Sequence, residues 1–167
     1  MTSSSRPVAH FCYIKKAADI YTNSPSYATE ESIGIDLRAC FAPEDLDASG
    51  RVRLAPGERR AVPSGIAIEP VQEEGAPLFA GFVYSRSGLG AVQGLTVAQG
   101  VGVIDPDYRG EITVILLNTS GEERFVAQGE RIAQLVFQPV FRARLEEVRS
   151  LGQTERGAGG FGHTGAQ

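Results

Sequence analysis

Asp105, Tyr108 and Arg109 stand close together in GVIDPDYRGEI (Gly102–Ile112). A carboxylate, a phenol ring and a guanidinium in one short turn can do chemistry. Asp105 follows directly on the apolar pair Val103-Ile104, which predicts a partly buried, rigidly aimed carboxylate. Held beside a cleft, such a group can act as a general base. Tyr108 offers a flat wall, and Arg109 offsets the carboxylates. Pro106 suits the second position of a tight turn, and Gly110 the release from it. Taken alone, the stretch reads as a polar hairpin tip, a common feature of β proteins.

A second stretch, YSRSGLG (Tyr84–Gly90), gathers two hydroxyls, Arg86 and Gly88. If a short helix starts here, capped by Ser85 or Ser87, its free N–H groups and the arginine make an anion site. Ordinary helix capping is the plainer reading. Gln134 lies in the otherwise apolar GERIAQLVF (Gly129–Phe137), so its amide needs backbone or ligand partners if buried. The tail ERGAGGFGHTGAQ (Glu155–Gln167) carries Arg156, Phe161, His163 and Thr164 among glycines. Its GAGGFG lacks a preceding strand and following helix, which excludes a dinucleotide fingerprint, and no phosphate-loop sequence occurs. His10 and His163 lie near opposite ends with no nucleophile or metal partner in sequence, which argues against a catalytic triad or a zinc site.

These residues must be carried by short strands. Twenty glycines and 9 prolines punctuate brief apolar runs, and long helical stripes are nearly absent. GIDLRAC (Gly34–Cys40) alternates, with Ile35, Leu37 and Ala39 on one face and Asp36, Arg38 and Cys40 on the other. GIAIE (Gly65–Glu69), LFAGFVY (Leu78–Tyr84), GLTVA (Gly94–Ala98), EITVILLN (Glu111–Asn118) and RIAQLVFQPV (Arg131–Val140) read as further strands. RLEEVRSL (Arg144–Leu151) suits strand or helix equally. The pattern predicts an all-β sandwich, jelly roll or barrel with at most one short helix, at Ser87–Gly94. Residues 1–7 read as a disordered tail, 8–150 as one compact domain and 151–167 as a flexible arm.

The 167 residues suffice for one domain with a real core. A net charge of −4 argues against a general nucleic-acid binder. No apolar run is long enough to span a bilayer, and the start has no secretory pattern. Cys12 and Cys40 are too few for a disulfide framework and read as reduced, buried thiols of a cytoplasmic protein. Lysine occurs only at positions 15 and 16, so the cations are nearly all arginine, whose planar fork suits phosphate.

Together, IGIDLRA (Ile33–Ala39), SRSGLG (Ser85–Gly90), GVIDPDYRGEI (Gly102–Ile112), GERIAQLVF (Gly129–Phe137) and RGAGGFGHTG (Arg156–Gly165) resemble the motifs of trimeric deoxyuridine triphosphate nucleotidohydrolases (dUTPases), in that family's order. The resemblance implies a jelly-roll subunit in a homotrimer, with active sites at subunit interfaces and the arm closing over one of them. The implied reaction converts dUTP and water to dUMP and pyrophosphate, with Mg2+ on the triphosphate. It keeps uracil out of DNA and supplies dUMP for thymidylate synthesis.

By the same resemblance, Asp105 activates the water that attacks the α-phosphorus, and Tyr108 packs on the deoxyribose. Backbone groups from Gln99 to Val103 read the uracil. Arg86, Ser87, Gly88 and Gln134 bind phosphate. Asp36 acts on the hydrated metal indirectly, through its waters. In the arm, Arg156 reaches the γ-phosphate, Phe161 stacks on uracil, and Gly162, His163 and Thr164 extend the substrate contacts. The chain departs from the family's usual residues at Ile33, at Ser85 (commonly proline) and at Gln99 (often asparagine). A dCTP deaminase shares the implied fold but would not need the RGAGGFG arm. A nucleotide-sensing protein without turnover would not need Asp105, Arg156 and Phe161 together.

Overall fold

The computed structural model describes residues 7–14, 17–22 and 24–160. Eleven strands dominate: β1 (Ala9–Tyr13), β2 (Gly34–Arg38), β3 (Arg51–Leu54), β4 (Arg59–Pro63), β5 (Ile66–Pro70), β6 (Phe79–Tyr84), β7 (Leu95–Val97), β8 (Val101–Ile104), β9 (Thr113–Asn118), β10 (Arg124–Ala127) and β11 (Arg131–Pro139). Every pairing is antiparallel. One sheet runs β2-β11-β6-β8, a second β4-β9-β7, and two ribbons pair β1 with β5 and β3 with β10.

Alternation fixes which side of each strand turns inward. In β3, Val52 and Leu54 are buried while Arg51 and Arg53 face solvent. In β9, Val114, Leu116 and Asn118 point inward. β11 is flanked by strands on both edges, and its Ile132, Ala133, Leu135 and Val136 are all buried. Val52, Leu54, Val114, Leu116, Ile132, Ala133 and Leu135 join Leu37, Val62, Ile66, Leu95 and Ile112 in one core. Removing that much apolar surface from water is the main drive to fold.

Two buried polar side chains stitch loops to this core. Asn118 donates from Nδ2 to the carbonyls of Leu54 (3.1 Å) and Glu122 (2.8 Å), and its Oδ1 accepts from Ser120 N–H and Oγ. Tyr21 donates its hydroxyl to the Ser64 carbonyl (2.8 Å) and accepts from the Arg38 N–H (3.0 Å). Burial pushes the Tyr21 pKa up to about 12, against the opposing pull of the Arg38 N–H.

A helical turn does form at Ser87–Gln93, ending in a left-handed Gly94. Single 3₁₀ turns at Ala17–Asp19 and Pro43–Asp45 accompany it. Ser85 is not its cap, because the Ser85 hydroxyl is turned towards β7 instead. The ambiguous 144–151 stretch is neither strand nor helix and is fully exposed. The thiol expectation needs correcting. Cys12 is exposed, because β1 is a surface strand paired on one edge only, and Cys40, just past β2, is half-buried. Among the described residues no helix is long and apolar enough to cross a membrane.

Candidate active site

The functional residues fall into two groups, at opposite ends of the β6–β8 pair. At the first end, β11 lies between β2 and β6 with Gln134 opposite Asp36 on one side and Tyr84 on the other. Two residues past Tyr84, Arg86 donates from Nε to Asp36 Oδ1 (2.9 Å). Arg131 reaches the other oxygen, Oδ2, at 3.3 Å, and its carbonyl accepts from Arg86 Nη1 (3.3 Å). One half-buried carboxylate thus sets two guanidiniums side by side.

Gln134 Nε2 donates to the Ser85 carbonyl (3.1 Å), which leaves a second amide hydrogen for a ligand. Its Oε1 lies over Gly34, where a Cβ would come to 2.5 Å, so any larger residue there would push the amide from this position. Ser87 and Gly88 follow, exposed, at the start of the helical turn, where N–H groups have no helical partner of their own. Two guanidiniums, a fixed amide and free backbone donors make an arrangement able to cradle phosphate.

At the second end, Asp105 leaves β8 into a turn closed by the Tyr108 N–H on the Asp105 carbonyl (3.0 Å). Val101, Val103 and Asp105 alternate onto the exposed face, while Gly102 is buried and Ile104 packs on the core. The carboxylate is therefore exposed in the single protomer rather than partly buried, because β8 is an edge strand.

The turn itself is tightly held. The Tyr108 hydroxyl donates to the Glu111 carbonyl (3.1 Å), and its ring lies where a side chain on Gly110 would have to go. Arg109 donates from Nη1 to the Pro106 carbonyl (2.8 Å) and from Nη2 to Glu69 (2.7 Å), which also neighbours His10 (3.5 Å). Glu111 accepts from the Gly65 N–H (2.7 Å). Gln99, in the turn before β8, lays its amide over Gly102.

Antiparallel register places these groups far apart. Tyr84 faces Val101 and Gly81 faces Ile104, so Arg86 and Asp105 are about six residue steps apart, on the order of 20 Å. One protomer does not bring them together. Arg156 is exposed and bonds Gly159 O (2.9 Å) rather than either group. Phe161, Gly162, His163 and Thr164 lie outside the described residues. Arg131 and Glu69 carry no signal in the sequence, and Ser85 reads there as a candidate helix cap; the contacts of all three appear only in the folded chain.

Among the described residues no three metal-ligating side chains converge. The Asp36 carboxylate is taken up by two arginines. This donor set suits a metal brought on phosphate oxygens with its own waters, not a protein cage.

Against known proteins, the dUTPase family profile matches residues 21–165. The deoxyuridine 5'-triphosphate nucleotidohydrolase of Methylocella silvestris is 46% identical over 143 residues, covering 85% of this chain and 82% of that protein. In fold, the chain resembles the dUTPase of Staphylococcus bacteriophage 80alpha solved with dUpNHpp, at a TM-score of 0.71 and 23% identity, covering 95% of this chain and 98% of that one. It also resembles a mutant dUTPase from phage phi11 of S. aureus, whose structure describes coordination of a structural Mg(II) ion. That likeness has a TM-score of 0.67 and 19% identity, covering 87% and 99% of the two chains.

Proposed function

Because the chain belongs to the dUTPase family, we propose that it hydrolyses dUTP to dUMP and pyrophosphate at sites shared between copies of itself. The carrying observation is the split site. A phosphate cradle and a carboxylate turn sit at opposite ends of β6 and β8, and neither suffices alone. A homotrimer that sets the cradle of one subunit against the turn of another completes the site. Exposed apolar side chains support such an assembly: Val103, Phe141, Leu145 and Leu151 are from 60% to 93% accessible in the single protomer.

In the reaction, Asp105 takes a proton from water as its oxygen bonds to the α-phosphorus. The bond from that phosphorus to the bridging oxygen breaks, and pyrophosphate leaves with its electron pair. Positioning and charge stabilisation supply most of the rate in phosphoryl transfer. Arg86, Ser87, Gly88 and Gln134 hold the phosphates, and Asp36 keeps Arg86 aimed while facing the metal's waters. Tyr108, pinned by its hydroxyl over Gly110, is the wall against the deoxyribose that leaves no room for a 2′-hydroxyl. Backbone groups of Gln99–Val103 read the uracil edge. Mg2+, held by the triphosphate and its own waters, would supply charge neutralisation at the phosphates. The arm, through Arg156, Phe161, Gly162, His163 and Thr164, closes the site and excludes bulk water.

Pyrophosphate release from dUTP, dTTP, dCTP and UTP with Mg2+ tests this reading. dUTP should be hydrolysed far faster than the other three. Equal rates on all four would sink the specificity, and ammonia release from dCTP would point to a deaminase instead.

A further inference from the structure

Resting on the reading of Arg86–Gly88 as a triphosphate site, we propose that the Ser85 hydroxyl is the clasp that holds this loop in its binding shape. The loop leaves β6 after Tyr84, passes through the helical turn at 87–93 and enters β7 at Leu95. Its two ends belong to different sheets, β6 in the four-stranded one and β7 in the three-stranded one. No ladder hydrogen bond joins those strands, so the mouth of the loop needs another fastening.

Ser85 supplies it. The Val97 N–H donates to Ser85 Oγ at 2.8 Å. Val97 is 3% accessible, so without the hydroxyl its N–H is left dry and unpaired. On the other side, the Ser85 carbonyl accepts from Gln134 Nε2 at 3.1 Å. A single residue therefore ties the loop to β7 with its side chain and to β11 with its backbone. It also immediately precedes Arg86, whose Nε must reach Asp36 at 2.9 Å.

At the other end of the loop, Gly94 turns in the left-handed region, and its carbonyl accepts from the Thr119 N–H (2.7 Å) and Oγ1 (2.8 Å). The far end is thus fixed to the β9–β10 connection, and the near end is fixed by Ser85. Opening the clasp lets the segment carrying Arg86, Ser87 and Gly88 spread, while the Asp105 turn at the other end of β8 keeps its own fastenings. Ser85 is a positioning residue for phosphate binding and touches no substrate atom in this assignment.

Calorimetric binding of dUpNHpp with Mg2+, alongside binding of dUMP, tests this. Losing the bond and stranding the N–H should weaken dUpNHpp binding by Ser85→Ala about fivefold to tenfold. dUMP, with only one phosphate, should bind within about twofold of wild type. In turnover, KM for dUTP should rise by a similar factor while kcat changes less. Ser85→Thr, which keeps the hydroxyl, should restore the affinity. If Ser85→Ala does not fold, Ser85→Val against Ser85→Thr makes the same comparison at nearly equal volume. Unchanged dUpNHpp affinity, or an equal loss for dUMP and dUpNHpp, overturns the proposal. A wild-type chain that binds dUpNHpp but leaves dUTP intact would remove the proposed reaction and leave the clasp standing.

Discussion

Asp36 shows how one side chain sets the chemistry of its neighbours. Its two oxygens hold Arg86 and Arg131 at 2.9 and 3.3 Å, and both guanidiniums keep further N–H donors for a ligand. Asp36→Ala should free both arginines and raise KM for dUTP about tenfold, read by initial rates with Mg2+. Asp105→Asn removes the proposed base with little change in size. It should cut kcat by roughly 10²- to 10⁴-fold while dUpNHpp affinity stays within about threefold; near-normal turnover would remove Asp105 from that role. At Gly110, a methyl would collide with the Tyr108 hydroxyl and push the ring from its place. Gly110→Ala should therefore narrow the preference for dUTP over UTP, measured as a ratio of kcat/KM. Residue types were readable at Asp36, Asp105, Arg86 and Tyr108, because their chemistry is intrinsic. The work of Ser85 and Arg131 was not, because it depends on contacts that only the folded chain makes: Arg131 with the Asp36 carboxylate, and Ser85 with a backbone N–H of a strand in another sheet. In the sequence Ser85 reads as a candidate helix cap and as a departure from the family's usual proline, neither of which points to β7.

Strands with apolar or alternating cores could be read directly. GIDLR, FAGFVY and RIAQLVFQP announce themselves by period or by β-rich content. The strands RVRL, RRAVP and RFVA are harder to read, because each buries only one or two side chains; RVRL and RRAVP carry arginine at the solvent face, and in RFVA the exposed residue is Phe125 while Arg124 turns in to the Gln93 carbonyl. β1 hid for the same reason, being mostly exposed on a two-stranded ribbon. Tyr21 shows what a well-placed loop residue contributes between such elements. It bridges the Ser64 carbonyl and the Arg38 N–H at the end of β2. Its pKa is raised from 10.0 to about 12, so the folded protein keeps the proton after the unfolded chain has lost it. Stability is fully present below pH 10 and falls as pH rises from 10 towards 12, by about 1.4 kcal/mol per unit. Urea unfolding at pH 9 and pH 11 should show this loss in wild type and not in Tyr21→Phe. At pH 9 the phenylalanine variant should already be less stable by about 1–3 kcal/mol, from two stranded backbone groups.

At the level of the whole molecule, the proposed site, divided between cradle and turn, would make function a property of the assembly. Asp105→Asn and Arg86→Ala proteins, each nearly inactive alone, should regain activity when dissociated and reassembled together. Mixed assemblies would contain sites that pair an intact Asp105 from one subunit with an intact Arg86 from another. Absence of recovery would place both residues in one subunit's site. Truncation after Thr154 should leave folding and sedimentation unchanged and reduce turnover greatly; full activity would rule out the arm as a lid. The order of events during synthesis follows from the position of β11. It is the last strand among the described residues, yet it lies between β2 and β6 and supplies both Gln134 and Arg131. Asp36 must wait for a partner 95 residues downstream. Until Arg131–Pro139 has left the ribosome, β2 has no neighbour in its sheet and β6 lacks one of its two. Pairing at such long separation is slow, on the order of milliseconds to seconds. A nascent or prematurely terminated chain therefore presents the open edge of β2, and the phosphate cradle is among the last parts of the protein to come into being.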